Sequence, residues 1–386
     1  MNFIPWAFAF IGHLGFWCVV YNRTHATNWS RKTRKFCEKL VIMAVLIPFC
    51  WFAIRVFGLG SYTIEALAGH SYIEWIYLFF SACIGVFFFL VWCSRKFERP
   101  PAALLSHEQR IYDVQKMVGR DLYLTPFAKA LKKVPYNEAH CIAVEQLEFQ
   151  IARLPQHLDG LRICHLSDFH FTGQIDIAYF EQVVKEANEF EPDLILITGD
   201  IIDDHDYLDW IDSIFGKLNS KHGTYFIRGN HDLRIGDQQM LLDRLQSTGM
   251  KWAGGGVWHS IEIDGARLQF AGNELPWHPG AEDLEANAAD SQDTVKILLT
   301  HSPDQFEWAR QFDFDLILAG HNHGGQIALP IVGPIVAPSK YGVRYAGGTF
   351  EIGDALMRVS RGLSGDECVR INCPPEVGLI TLRAKR

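Results

Sequence analysis

Two features that are scarce in this sequence narrow the classes of protein it can belong to. Its 386 residues carry 36 Lys and Arg against 44 Asp and Glu, a net charge of −8, so no large cationic surface for nucleic acid is expected. None of the nine cysteines forms a Cys-x-x-Cys pair, which argues against a zinc ribbon. Cys368 and Cys373 are candidates for a disulfide, but scattered free cysteines in a reducing compartment are the favoured interpretation.

Nearly all the long apolar runs of the chain lie before residue 95. Phe3–Tyr21 and Trp75–Cys93 contain no Asp, Glu, Lys or Arg, and each is long enough to cross a bilayer as a helix. A third run, Leu40–Ile54, is shorter and is followed by Arg55, which can reach the interface while the helix spans. We predict about three transmembrane helices within residues 1–94. A cleaved signal peptide is disfavoured, because no basic residue precedes the first run.

The distribution of basic residues predicts how the chain crosses the membrane. The loop over residues 22–39 holds six Lys and Arg, the loop over residues 61–74 holds none, and residues 95–99 hold three. Because basic loops stay on the cytoplasmic side, the N-terminus is expected outside and everything after residue 94 in the cytoplasm. The prediction is a multi-pass protein of the inner or plasma membrane.

Residues 95–144 are predicted to form a membrane-proximal linker with short helices. One helix, over residues 125–134, begins with a Thr N-cap and a Pro in its first turn. Its lysines suit a helix that lies on an anionic surface, and a solvated linker helix is the alternative. Apolar residues alternate over 147–151, which predicts a strand that opens a catalytic domain at residues 145–386.

Five apolar runs of strand length in this domain each end in polar side chains. The runs are LRICHLS, DLILIT, TYFIR, KILLT and DLILA, and the polar residues that follow them in order are Asp168 and His170, Asp200, Asn230 with His231 and Asp232, His301, and His321 with His323. Continuous apolar runs are typical of strands buried on both faces. Polar residues beyond the carboxyl ends of such strands gather on one rim.

Other patterns add helices and antiparallel strands. Helices are predicted over residues 176–190 and 237–246. In SIEIDGARLQF an alternating pattern flanks Asp264-Gly265, a favoured hairpin turn, and further strands are predicted over residues 355–360 and 377–382. The predicted fold class is α/β, with two mixed β-sheets packed as a sandwich and flanked by helices, preceded by an α-helical transmembrane region.

The polar residues at the strand ends carry information as a set. Singly, each is explained by ordinary turn chemistry. Together, two carboxylates, four imidazoles and one amide oxygen suit two divalent metal ions, with Mn preferred, Fe or Zn as alternatives and Ca disfavoured. Two ions about 3.5–4 Å apart need a shared ligand, and Asp200 on its Gly-Asp turn fits that position.

A known family motif resembles this set in content and in order. The five-block motif of the calcineurin-like metallophosphoesterases is similar to Asp168-x-His170, Gly199-Asp200, Gly229-Asn230-His231-Asp232, His301 and Gly320-His321-x-His323. The resemblance covers about residues 145–386 and implies that family's fold of two mixed sheets between helices. It implies a first metal bound by Asp168, His170 and His323. It implies a second metal bound by Asn230, His301 and His321, with Asp200 bridging the two.

The resemblance also implies an activity, the hydrolysis of a phosphodiester or pyrophosphate bond by a metal-activated hydroxide. His231 would stay off the metals as the catalytic acid or charge stabiliser, oriented by Asp232. No covalent protein nucleophile is needed, so Ser167 and Cys164 are interpreted as structural. Two further residues, Arg361 and Arg370, are candidate phosphate contacts, with solvated arginines as the alternative.

Finer similarity points to one branch of the family. HLSDFH, ILLTHSPD and GHNHGGQIALP look like membrane-associated phosphoesterases that include a UDP-2,3-diacylglucosamine hydrolase of lipid A biosynthesis, although that branch commonly carries Thr in place of Asn322. The expected partners are a phosphoester, such as a nucleotide-linked lipid, and the bilayer, with no nucleic acid. The alternatives are a phosphodiesterase or phosphatase acting on another nucleotide, phospholipid or phosphoprotein, and a non-catalytic membrane scaffold.

Overall fold

A computed structural model of the chain describes residues 4–58, 72–284 and 294–385. It divides into two compact units, Met1–Arg99 and Pro100–Arg386. The described residues of the first unit form the helices α1 (Ile4–His25), α2 (Arg31–Gly58) and α3 (Tyr72–Lys96). Of the described helices, α1 and α3 are long and apolar enough to cross a membrane.

Small residues allow α1 and α3 to approach closely. A Cβ atom on Gly12 of α1 would collide with the backbone carbonyl of Ser81 in α3, and one on Gly85 with the carbonyl of Phe8. Close packing through small residues is typical of helices that associate in a membrane. The middle predicted span, Leu40–Ile54, lies within α2.

Part of that middle span lies outside the described residues, because the side chains at positions 49 and 51–58 are not described. The same holds for residues 59–71, which contain most of the predicted second loop. Two of the three predicted spans thus lie in long apolar helices, and the count of three stays a prediction.

The second unit contains a seven-stranded and a six-stranded mixed sheet. The first sheet has the order β1-β2-β15-β3-β4-β5-β6. Its strands are β1 (Leu104–Asp113), β2 (Cys141–Ile151), β3 (Arg162–Leu166), β4 (Leu194–Thr198), β5 (Thr224–Ile227), β6 (Lys251–Trp252) and β15 (Glu376–Ala384). Strands β3 to β6 are parallel, and β15 pairs parallel with β2 and antiparallel with β3.

The second sheet has the order β13-β14-β10-β9-β8-β7. Its strands are β7 (His259–Ile263), β8 (Ala266–Asn273), β9 (Val295–Thr300), β10 (Leu316–Ala319), β13 (Gly348–Ile352) and β14 (Ala355–Val359). Strands β8, β9, β10 and β14 are parallel, with an antiparallel hairpin at each edge. A separate two-stranded ribbon consists of β11 (Ala328–Leu329) and β12 (Gly333–Pro334).

One apolar core lies between the two sheets, where Leu196, Phe270, Ile297 and Ile380 belong to the same buried cluster. Helices cover the outer faces of the sheets. They are α4 (Val114–Val118), α5 (Pro126–Leu131), α6 (Ile177–Glu189), α7 (Asp209–Phe215), α8 (Gln238–Ser247) and α9 (Phe306–Ala309). The prediction of two mixed sheets flanked by helices is confirmed.

The stretch predicted as a linker contributes β1, which pairs antiparallel with β2 along its whole length. The helix predicted over residues 125–134 forms as α5, with the Thr125 side chain capping Ala128 N–H at 3.1 Å and Pro126 at its first position. It ends at Leu131, three residues before the predicted end. The helices α6 and α8 begin at side-chain caps from Asp176 and Asp237, as their patterns predict.

Candidate metal centre

Five strands end along one rim of the second unit. The strands β3, β4 and β5 come from the first sheet, and β9 and β10 come from the second. His301, which follows β9, donates from Nδ1 to the carbonyl of Thr198 at the end of β4 over 2.7 Å. This bond joins the two sheets at the rim, so the polar side chains predicted at the strand ends come together there.

A first group of potential ligands consists of Asp168, His170, Asp200 and His323, whose ligand atoms lie within 4.8 Å of one another. Nε2 of His170 lies 3.3 Å from Nε2 of His323 and 3.5 Å from Oδ2 of Asp200. Nε2 of His323 lies 3.5 Å from Oδ1 of Asp168. These side chains are able to hold one divalent cation.

A second group consists of Asp200, His301 and His321, again within 4.8 Å. Oδ2 of Asp200 lies 3.1 Å from Nε2 of His301, and Nδ1 of His321 lies 3.2 Å from that same nitrogen. The side-chain oxygen of Asn230 lies 3.1 Å from it as well. Asp200 belongs to both groups, which is the position that a bridging carboxylate needs.

The two histidine rings of the second group point lone pairs at each other. His301 donates Nδ1–H to the carbonyl of Thr198, and His321 donates Nε2–H to the carbonyl of Pro338 over 3.1 Å. Since a carbonyl oxygen only accepts, each neutral ring keeps its proton on the outer nitrogen. Such outward hydrogen bonds are typical of metal-binding histidines. A cation between the rings relieves the repulsion of the inner lone pairs, so the residues fit a metal.

The carboxylate of Asp200 also indicates that the residues fit a metal ion. Its side chain is buried, and Oδ1 accepts the backbone N–H of His231 at 2.7 Å. Oδ2 is buried without a hydrogen bond. An ionised oxygen buried in this way is costly unless a cation satisfies it.

Two of the potential metal ligands, His170 and His301, have raised pKa values when no metal is bound. Burial alone would lower the pKa of His170, but Asp203, Asp200 and Asp168 outweigh it and raise that pKa to about 10. At His301 burial is likewise outweighed, and Asp200 and Asp168 raise the pKa to about 9. The centre therefore attracts cations, and metal ions must compete with protons for it.

Five of the potential ligands have a left-handed backbone. Their φ angles are 55° for Asp168, 47° for His170, 52° for Asp200, 70° for His321 and 50° for His323. Such conformations are uncommon outside glycine and cost energy. The turns after the strands are thus held in a strained form that aims the side chains inward, and this strain is typical of functional sites.

Two glycines of the predicted motif are required by close approach. A Cβ atom on Gly229 would collide with Oδ1 of Asp200, and one on Gly320 would collide with Ser167 and with Oδ2 of Asp168. Any larger residue at either position would displace a potential ligand. The two glycines therefore leave room for the carboxylates of the centre, as their placement in the sequence predicts.

His231 lies beside the two groups and outside both. Its ring packs edge to face against the ring of His170, with the two ring centroids 4.5 Å apart. Its Nδ1 lies 2.5 Å from Oδ1 of Asp203 and 3.5 Å from Oδ1 of Asp366. The side chain is partly accessible, at 15% exposure, whereas His170 is fully buried. This position suits a residue that meets a substrate at the metals.

Comparison with known proteins agrees with this geometry. The model of the calcineurin-like phosphoesterase family matches residues 161–325. An uncharacterized metallophosphoesterase of Bacillus subtilis, YkuE, is 31% identical over 255 residues, covering 64% of this chain and 88% of that protein. The chain belongs to the calcineurin-like metallophosphoesterases. It is therefore a metal-dependent hydrolase that acts on phosphoester bonds.

Two further relatives broaden the picture of this metallophosphoesterase. The phosphodiesterase YaeI of Escherichia coli is 27% identical over 244 residues, 62% of this chain and 88% of that protein. A transmembrane protein with metallophosphoesterase domain from Danio rerio is 25% identical over 331 residues, 78% of this chain and 73% of that protein. Together with α1 and α3, the latter indicates that the metallophosphoesterase is associated with a membrane.

Asp203 is a site residue that the sequence prediction missed. Its Oδ2 accepts from Nδ1 of His170 at 2.7 Å, while Oδ1 faces His231 and also accepts from Arg234 at 2.5 Å. Burial by itself would raise the pKa of Asp203, but His170 and His231 hold it well below its usual range. One carboxylate thus orients a potential metal ligand and the expected catalytic histidine of the metallophosphoesterase.

The predicted role of Asp232 is wrong. Its carboxylate does not face the His231 ring, because it accepts backbone N–H groups of Ile201, Ile202 and Gly229 at 2.9, 3.1 and 2.7 Å. Asp232 therefore fixes the turn that carries Asp200, and Asp203 takes the orienting role. The spacing of Asp203 within IIDDH resembles that of any acidic loop, so no sequence signal singled it out.

Arg361 and Arg370 are both engaged by other groups of the protein. Arg370 is buried and donates to the carbonyls of His323 at 2.9 Å and Arg361 at 2.7 Å. Arg361 pairs with Glu145 and Glu376. Both guanidinium groups are thus occupied by the protein, and Arg370 supports the loop that carries His323.

The cysteines and Ser167 have surroundings that agree with a structural role. All nine cysteines are free, including Cys368 and Cys373. Cys164 is fully buried, and burial raises the pKa of its thiol, which disfavours the nucleophilic thiolate. Ser167 is buried and accepts from the hydroxyl of Thr198 at 2.8 Å.

Trp277, on the chain between β8 and β9, is a second residue that the sequence did not indicate. The centroid of its ring lies 5.5 Å from the ring centroid of His301 and 4.7 Å from that of His321. His278, beside it, donates from Nε2 to the carbonyl of Gly229 over 2.9 Å, which holds this segment on the rim. The half-buried indole forms an apolar wall next to the second group.

Proposed function

We propose that this metallophosphoesterase is a membrane-anchored enzyme that binds two divalent metal ions and hydrolyses a phosphodiester or pyrophosphate bond. Asp168, His170 and His323 would hold the first ion. Asn230, His301 and His321 would hold the second, with Asp200 shared. The observation that carries the proposal is the pair of inner ring nitrogens of His301 and His321, 3.2 Å apart, with both outer nitrogens at carbonyls.

When bound, the two ions supply Lewis acidity for an attacking water and for the phosphoryl oxygens. The chain itself supplies rigid positions, because the ligands stand on strained turns and their outer nitrogens are fixed. His231 supplies a proton or positive charge. Its Nδ1 is engaged by Asp203, which fixes the ring and leaves Nε2 to exchange a proton with the leaving oxygen.

We extend the proposal to a lipid-linked substrate, with hydrolysis of UDP-2,3-diacylglucosamine in lipid A biosynthesis as the leading candidate. Its support is the similarity of the GHNHGGQIALP block to that branch, together with the apolar helices of the first unit. We also propose that the catalytic unit, residues 145–386 with its linker, faces the cytoplasm. The basic residues of the first predicted loop support this orientation. We propose Mn as the metal, because carboxylate and imidazole ligands suit it.

The test is a metal-dependent activity screen on the full chain purified in detergent. Protein stripped of metal is reloaded with Mn²⁺, Fe²⁺ or Zn²⁺ and assayed on UDP-2,3-diacylglucosamine, bis(p-nitrophenyl) phosphate, a phospholipid and a phosphopeptide. We expect metal-dependent hydrolysis, strongest with Mn²⁺, and release of UMP from the nucleotide lipid. Cleavage of other esters without UMP release would reject the lipid A substrate. No hydrolysis with any metal would reject the enzyme and favour a scaffold.

A further inference from the structure

A charge-free hairpin leaves the metal centre directly after His323. The residues between His323 and Lys340 include no Asp, Glu, Lys or Arg. Within them β11 and β12 pair antiparallel, Ala328 with Pro334 and Leu329 with Gly333. We name residues 327–336 the apolar hairpin.

The tip of the apolar hairpin exposes large aliphatic side chains. Ile331 is 77% exposed, Val332 53% and Leu329 43%. Ile327 and Val336, at the two ends of the hairpin, are 41% and 40% exposed. Single exposed apolar residues are ordinary, but a contiguous set without a charge is typical of a surface that contacts a membrane or another protein.

The backbone at the tip strengthens this interpretation. Ile331 has a φ angle of 70°. A β-branched residue in the left-handed region is a genuine outlier, and glycine or asparagine would be favoured there. An isoleucine that is both exposed and strained buries little apolar surface within the fold, and such strain points to a functional contact.

Both ends of the apolar hairpin are held in place next to the potential ligands. On the first side, Gly325 packs so closely that an added Cβ atom would lie 2.6 Å from Cβ of Pro334 and 2.7 Å from the carbonyl of Val336. On the second side, the carbonyl of Pro338 holds His321. The amide of Ala328 also donates to the carbonyl of Ile371 at 2.9 Å. The tip therefore keeps a fixed position relative to the potential ligands.

We propose that the apolar hairpin inserts its tip into the surface of a lipid bilayer and so presents the metal centre to phosphoesters of lipid headgroups. A bilayer is the occupant that fits, because the same chain carries two helices apolar enough to cross one. The lack of charge gives an acidic or basic peptide nothing to pair with, whereas aliphatic side chains partition into the interface. The insertion stands independently of catalysis, while the lipid substrate class rests on the proposed function.

The direct test is photo-crosslinking of the full chain in phosphatidylethanolamine and phosphatidylglycerol nanodiscs. p-Benzoylphenylalanine replaces Ile331 in one variant and Val257 in a control, because Val257 is an aliphatic residue exposed to 51% on another loop. After irradiation, mass spectrometry of the peptides should find a lipid adduct at position 331 and none at position 257. Crosslinks from position 331 only to protein, including a second copy of this chain, would overturn the proposal. So would the absence of any lipid adduct.

A second measurement links insertion to substrate. Ile331→Asp and Val257→Asp are compared by the ratio of two rates, hydrolysis of a lipid-embedded phosphodiester over hydrolysis of soluble bis(p-nitrophenyl) phosphate. We expect Ile331→Asp to lower this ratio about tenfold and Val257→Asp to leave it unchanged, because a carboxylate is costly in the interface. An unchanged ratio for Ile331→Asp would reject the lipid substrate class. Failure of the unsubstituted chain on the soluble diester would instead reject the proposed function and leave the crosslinking test intact.

Discussion

His301 and His321 face each other across 3.2 Å with the ring nitrogens that their carbonyl partners leave free of protons. The arrangement demands a positive charge between the rings, and the protein has two ways of supplying it. A metal ion is one. A proton is the other, because Asp200 and Asp168 overcome the effect of burial and raise the pKa of His301 to about 9. Metal binding and protonation are therefore alternatives at this centre.

The first prediction is that metal binding releases protons. With pKa values of about 10 for His170 and about 9 for His301, the metal-free protein holds an extra proton on each ring at pH 7. Apparent metal affinity should rise by up to about tenfold per pH unit for each proton displaced, until the pH passes those values. Calorimetric titration with Mn²⁺ in two buffers of different ionisation enthalpy counts the protons, and we expect about two. Heats that do not depend on the buffer would contradict this.

The two raised pKa values also determine how the stability of the metal-free fold depends on pH. Both folded pKa values lie above the ordinary value of 6.5, so the protons stabilise the metal-free fold fully below pH 6.5. This stabilisation is lost as the pH rises through about 9 to 10. Bound metal replaces it, so the gain in thermal stability on adding Mn²⁺ should be larger at pH 9 than at pH 6.5.

The second prediction concerns the shared carboxylate. Asp200→Asn should lower the rate at least about a hundredfold, because it weakens both metal groups at once, and the bound metal should fall below two ions per chain. Metal content by plasma mass spectrometry and hydrolysis of bis(p-nitrophenyl) phosphate measure the two effects. Asp264→Asn, at an exposed hairpin turn, is the matched control. Full activity and full metal content in Asp200→Asn would refute the shared role.

The third prediction separates proton donation by His231 from charge stabilisation. If His231 protonates the leaving oxygen, His231→Ala should slow an alkyl ester by about 10²–10⁴-fold and a p-nitrophenyl ester far less, because p-nitrophenolate leaves without a proton. Equal losses on both esters would assign charge stabilisation alone. Metal content, measured in parallel, should stay unchanged in this variant.

Asp203→Asn provides the companion measurement. It should reproduce part of the His231→Ala leaving-group effect and also weaken metal binding by about 10–100-fold, because Asp203 orients His170 as well. Asp204→Asn, at the exposed neighbouring position, should do neither.

The sequence predicts the potential ligands well because each follows directly after its own strand. Local order along the chain is enough to find Asp168 and His170, and the family motif joins them to the rest. Other features depend on pairings that no local pattern contains. The C-terminal strand β15 lies between β2 and β3, and β1 is exposed on both faces, so it shows no alternation to detect.

The roles of several side chains were not predictable for the same reason, because they depend on contacts between distant parts of the chain. Whether an arginine is solvated or buried depends on partners far along the chain, as with Arg361 and Glu145, 216 positions apart. Asp203 gains its role only because the fold brings His170 and His231 to it. Pro338 matters through its backbone carbonyl, which every residue type carries, so its identity holds no signal for His321.

The last prediction concerns a buried ion-pair network behind the centre. Glu376 pairs with Arg358 and Arg361, both at 2.8 Å, and Glu145 pairs with Arg361. Because both glutamates are only 1% exposed, Glu376→Gln leaves a buried arginine without its partner and should cost about 3–5 kcal/mol of unfolding free energy. Glu148→Gln is the control, since its pair with Arg383 is one-third exposed and such pairs contribute about 1 kcal/mol or less.

The network should also make the fold sensitive to acid. Burial alone would raise the pKa of Glu145, but Arg361 and Arg358 outweigh it and hold that pKa below the ordinary value of 4.5. A lowered carboxyl pKa stabilises the fold above pH 4.5, and the stabilisation is lost as the pH falls through the folded value. The thermal midpoint of the full chain in detergent should therefore fall steeply below pH 4.5, and less steeply in Glu145→Gln. Equal slopes in the two proteins would show that Glu145 is not the group responsible.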